Sequence, residues 1–74
     1  MNAVYKHIAS QKLYRVIGTG RSVANPQEKM VMYKQLYDSK LRDTGEKLPY
    51  GSLWIREEND FNKKFQLYLG NQKS

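Results

Sequence analysis

The sequence predicts a mostly β fold: four or five short antiparallel strands forming a small barrel or strongly curled sheet, with a short helical turn near the C-terminus. Three observations predict it. Apolar and polar residues alternate in segments rich in β-branched and aromatic side chains, which is the period of a half-buried strand. Turn signals separate these segments: Asn25-Pro26, Thr44-Gly45 and Pro49-Tyr50-Gly51. The chain has 74 residues, 12% of them aromatic, which suits one folded domain (1–74) with a thin core. A few short strands must curl to cover such a core.

Val4-Tyr5-Lys6-His7-Ile8 alternates and reads as the first strand. The polar stretch Ala9–Lys12 turns it into a second strand, Leu13 to Gly18, as a hairpin. Gly18 and Gly20 suggest a bulge or a close backbone approach there. Lys29 to Tyr37 reads as the third strand. Its Met, Lys, Gln and Leu would suit a helix, but Val31, Tyr33 and Tyr37 share one period-2 face. Asp38 to Ser52 is read as a long loop, and Leu53-Trp54-Ile55-Arg56 as a short fourth strand. A helical turn is expected over Glu58–Asn62, its acids favoured at its start, followed by a closing strand over Lys64–Leu69. The tail 70–74 is expected to be disordered.

In order and spacing, Tyr5-Lys6-His7, Leu13-Tyr14-Arg15-Val16-Ile17-Gly18, Val31-Met32-Tyr33 with Leu36-Tyr37, and Leu53-Trp54-Ile55-Arg56 with Phe61 resemble a small bacterial and phage family, domain of unknown function 1653. The likeness covers roughly residues 4–61 and implies a compact, mostly β domain, with no activity attached. Gly20-Arg21-Ser22-Val23 stands where that family carries Ala-Arg-His-Ser, so its second histidine is absent here. Glu57 and Asp60 stand where the family has Pro and Met.

Charge points towards anionic partners. Thirteen Lys and Arg oppose seven Asp and Glu, a net charge of +6. Residues 1–27 and 61–74 contain no acid, so two basic ends flank a near-neutral middle. Such a balance attracts nucleic acid or an acidic protein surface, and it also simply keeps a small protein soluble. The lack of cysteine removes disulfides, thiol nucleophiles and Cys-based metal sites, and suits a reducing compartment. No apolar run approaches a membrane span, and residues 1–7 do not read as a signal peptide. The expectation is a cytoplasmic protein with no cofactor and no metal.

Catalytic motifs are missing. His7 is the only histidine and has no nucleophile motif beside it, so a structural or surface role outweighs a catalytic base. Glu57, Glu58 and Asp60 read as helix-start acids rather than an acid–base pair. Gly18-x-Gly20 lacks the third glycine of a dinucleotide loop. Aromatic and basic residues instead interleave: Tyr5-Lys6, Tyr14-Arg15, Tyr33-Lys34, and Trp54 with Arg56. If Tyr14, Val16, Tyr33 and Trp54 face inward, Arg15, Lys34 and Arg56 line the outside and meet phosphates. Rings that face out would instead serve as stacking platforms for single-stranded bases. Arg21 and Arg56, with His7 and Tyr5, are also candidates to frame a small anion or nucleotide pocket.

The resulting expectation is a non-enzymatic binding module. Lys6, His7, Lys12, Arg15, Arg21, Lys34 and Arg56 meet an anionic partner, nucleic acid before others. The alternative is a protein-binding regulator, for example a phage protein that binds a host protein. It would use the 38–52 loop, with Leu41, Leu48 and Tyr50, or a sheet edge.

Overall fold

A computed structural model describes residues 3–69, so the expected disorder of 70–74 falls outside the described residues. The strands are β1 (Val4–His7), β2 (Leu13–Arg21), β3 (Lys29–Gln35), β4 (Ser39–Lys40), β5 (Lys47–Leu48), β6 (Leu53–Glu57) and β7 (Phe65–Leu69). One helix, α1 (Glu58–Lys64), joins β6 to β7. Five strands form one antiparallel sheet in the order β6-β3-β2-β1-β7. The edge strands β6 and β7 do not pair with each other, so the sheet is open and curled rather than a closed barrel.

The third segment is a strand, as its alternation requires. Val31, Tyr33 and Gln35 are buried, while Met32 between them is exposed. The register of β2 on β3 slips between Val16 and Gly18, leaving Ile17 as the extra residue of a bulge. The alternative reading of the glycines, a close backbone approach, fails: a Cβ at Gly18 or Gly20 would meet open space. The 38–52 segment is likewise not a structureless loop. It holds the short β4–β5 ribbon, turned at Gly45, whose φ of 75° is the left-handed conformation glycine tolerates.

Cross-strand pairing assigns the two faces. Tyr5↔Tyr14↔Gln35 and Val16↔Tyr33↔Trp54 run across the sheet on one side, and Val31↔Arg56 lies beside them. This concave face receives α1. The core is Val16, Val31, Tyr33, Phe61 and Phe65, with Tyr5 and Tyr14 packed against it. Phe61 from the helix stacks on Phe65 with centroids 4.2 Å apart. Tyr33 meets both rings at 5.2 Å. A thin core is thus filled mainly by rings in edge contact, which bury much area per residue.

One orientation expectation is corrected here. Arg56 does not line the outside: it is two residues from Trp54, so alternation puts both on the concave face with Tyr33. Trp54 does face inward, but it does not join the core. It sits on an edge strand beyond the helix's cover and is 36% exposed.

Candidate functional site

The concave face is only partly covered. Beside α1 it opens as a cleft of about 260 Å³ lined by His7, Ser10, Tyr14, Tyr33, Tyr37, Trp54, Arg56 and Phe65. Strand alternation supplies most of this lining, because His7, Tyr14, Tyr33, Trp54, Arg56 and Phe65 all point to one side of the sheet.

Each polar group in the cleft is held by a neighbour. The Arg56 Nε donates to the Tyr33 hydroxyl at 3.2 Å, and its Nη1 donates to the Asp60 carboxylate at 2.5 Å. Its guanidinium also lies 5.5 Å from the Phe65 ring centroid. The hydrogen bond to Tyr33, followed by that to Asp60, raises the Arg56 pKa, so the group stays charged. The same contact lowers the Asp60 pKa. Trp54 Nε1 donates to the Gln35 side-chain oxygen at 2.9 Å, fixing the indole at the mouth. Tyr14 and Tyr37 share a hydrogen bond between their hydroxyls. Burial, then that bond, pushes the Tyr14 hydroxyl well above its usual range, so it remains protonated.

His7 is set by the turn after β1. Its Nδ1 lies 2.9 Å from the Ser10 hydroxyl and accepts the Ser10 backbone N–H at 3.3 Å. A nitrogen that accepts an N–H carries no proton, so the proton of the neutral ring sits on Nε2. Burial, then the charges of Arg56 and Lys64, lowers the His7 pKa and keeps the ring neutral near pH 7. The rim is basic: Lys12 Nζ lies 5.2 Å over the Tyr37 ring, and Lys64 reaches Asp60 at 3.6 Å.

Of the residues expected to bind, the structure brings only His7 and Arg56 together, with Lys12 at the rim. Lys6, Arg15 and Lys34 lie on the opposite face, where Arg15 stands across from Lys34 on the neighbouring strand and Lys6 lies 5.5 Å over Tyr68. Arg21 is not part of the cleft. It ends β2, roughly 20 Å along the strand from Tyr14 at about 3.3 Å per residue, and donates to the Pro26 carbonyl. Tyr5 packs on Phe61 at 5.1 Å instead of lining the opening. Leu41 and Leu48 are half-buried in the β4–β5 ribbon, and Tyr50 is 62% exposed.

The residue missed from sequence is Gln35, which has no exposed surface. Its side-chain amide donates to the Tyr37 and Leu48 carbonyls at 2.9 and 2.8 Å while its oxygen holds Trp54. Its signal was its position, on the same period-2 face as Val31 and Tyr33.

Among the described residues no cluster of three or more His, Cys, Asp or Glu could hold a metal ion, and no helix is long and apolar enough to cross a membrane. The profile of a family described as protein of unknown function (DUF1653) matches residues 3–71. The chain belongs to this family. No curated protein and no solved structure matches it.

Proposed function

We propose that this protein is a small, basic, non-enzymatic binding module whose concave cleft contacts an anionic partner, and that the partner is nucleic acid. One observation carries the reading: ring surfaces of Tyr37 and Trp54 and a fixed guanidinium, Arg56, meet in one open cleft. Stacking on rings and attraction of phosphates are the two interactions by which single-stranded nucleic acid is held without reading sequence. The net charge of +6 supports it, and so do Lys12 and Lys64 at the rim, which with Arg56 outnumber the one carboxylate, Asp60. Lys6, Arg15 and Lys34 on the other face add to the long-range attraction. We further propose that the module works in the cytoplasm, which suits a cysteine-free chain, and in a bacterial or phage-infected cell.

The test is a titration with single- and double-stranded oligonucleotides at several salt concentrations, read by the emission of Trp54, the one tryptophan. Phosphate contacts make log K fall linearly with log salt. Failure to bind any oligonucleotide at low salt overturns the proposal.

Exposed Tyr50 favours a second reading, a protein-binding regulator that uses the β4–β5 ribbon or the free edge of β6 or β7. Tyr50→Ala would then abolish capture of the partner without disturbing the fold.

A further inference from the structure

The cleft differs from a phosphate-tracking groove in ways that narrow the ligand. It is short. At about 260 Å³ it lies just under the roughly 300–1,000 Å³ of sites for drug-sized molecules. That holds one flat ring system and its substituent, not a run of stacked bases. Its free hydrogen-bonding groups are donors. The Tyr33 hydroxyl accepts from Arg56 and keeps its own proton to give. His7 Nδ1 is occupied by Ser10, which leaves the Nε2–H as donor. Arg56 uses Nε and one Nη1 proton within the protein, so further N–H groups remain for a ligand. A site of donors between rings suits an acceptor-rich, planar, negatively charged guest. The rings of a duplex are stacked inside it and cannot present a face here.

We infer that the cleft is a socket for a single unpaired nucleotide, its base against Trp54 and its phosphate at Arg56. The inference rests on the nucleic-acid reading above and narrows it to unpaired positions, one nucleotide per chain. The same chemistry is offered by a free mononucleotide and by a nucleotide within a strand, and the experiment separates the two sources.

The unmodified protein is titrated with the four ribonucleoside 5′-monophosphates, the matching nucleosides and ribose 5-phosphate, following Trp54 emission and backbone amide shifts. At least one monophosphate quenches Trp54 and shifts the amides of β6 and of the 7–14 segment. Its nucleoside and ribose 5-phosphate each bind about tenfold or more weakly, because each lacks one half of the recognition. A single-stranded oligonucleotide competes with that monophosphate, and a blunt duplex is about tenfold weaker. Competition identifies the strand as a source, whereas a monophosphate that no oligonucleotide displaces overturns the link to strands. Arg56→Lys, with the amide spectrum confirming its fold, weakens the monophosphate about tenfold and the nucleoside by less. Oligonucleotide binding that has a salt slope and quenches Trp54, while no monophosphate binds or competes, overturns this inference alone and leaves the broader reading intact. Failure of every oligonucleotide to bind overturns both.

Discussion

The two faces of the five-stranded sheet are built from the same strands, yet they solve different problems. The concave face carries Tyr14, Tyr33, Trp54, Arg56 and Phe65, and nearly every polar group on it has a defined partner. The opposite face carries Lys6, Arg15 and Lys34 together with Met32, Leu53 and Ile55, which are 38%, 60% and 61% exposed. The comparison teaches that the one helix of the described residues covers a single face of the sheet. The helix that covers it is seven residues long, so the rings that fill the core also wall the cleft. Core and site are therefore mechanically one object, on the face that the helix covers.

Phe61→Ala tests this hardest. Phe61 is 2% exposed and is the helix's buried contact with the sheet. Its truncation is expected to cost about 3–5 kcal/mol, against the roughly 5 kcal/mol available to a small domain. Urea unfolding would show a largely unfolded variant, and a loss under about 1 kcal/mol would break the claim that core and cleft are shared. Gln35→Ala comes next, at about 1–3 kcal/mol, because two carbonyls and the Trp54 indole lose their partner together. Its Trp54 emission should shift to the red as the indole loosens. On the outer face the sign reverses. Gly20 has no positive φ and open space where a Cβ would go, so Gly20→Ala is expected to stabilise by about 0.4–1 kcal/mol in the same unfolding assay. Ile55→Thr, on the same face, should stay within about 0.5 kcal/mol.

The pH dependence sharpens the contrast most finely. Folding lowers the His7 pKa below its ordinary 6.5, so the unfolded chain binds the proton more readily. The contribution of His7 to stability is therefore present above pH 6.5 and is lost as pH falls through the lowered folded value. Melting temperatures between pH 7.5 and 5 should decline, and His7→Gln should flatten that part of the curve. The loss of the Arg56–Asp60 pair lies in a separate window, below 3.8, because the Asp60 pKa is lowered from that value.

Most strands were legible because alternation is local. Val31 and Tyr33 announce an inward face wherever β3 ends up, and the bulge at Ile17 was signalled by the glycine beside it. Helix and closing strand were also readable, as Glu58 to Lys64 and Phe65 to Leu69 show within two residues. The binding set was less so. Arg15, Arg21, Lys34 and Arg56 look alike in the chain; Asp60 stands four residues after Arg56, but nothing local shows that the Tyr33 hydroxyl also holds this guanidinium.

By itself, then, the sequence determined which residues alternate, where the chain turns, and that the net charge is +6. The tertiary structure alone decided that β6 and β7 stay unpaired as edges, that Trp54 stands at an opening, and that a glutamine buried without exposed surface holds it there. The physical reason is range. Alternation and turn preference act between neighbours in sequence, whereas the cleft depends on the order of strands in space and on which part of one face a short helix leaves uncovered.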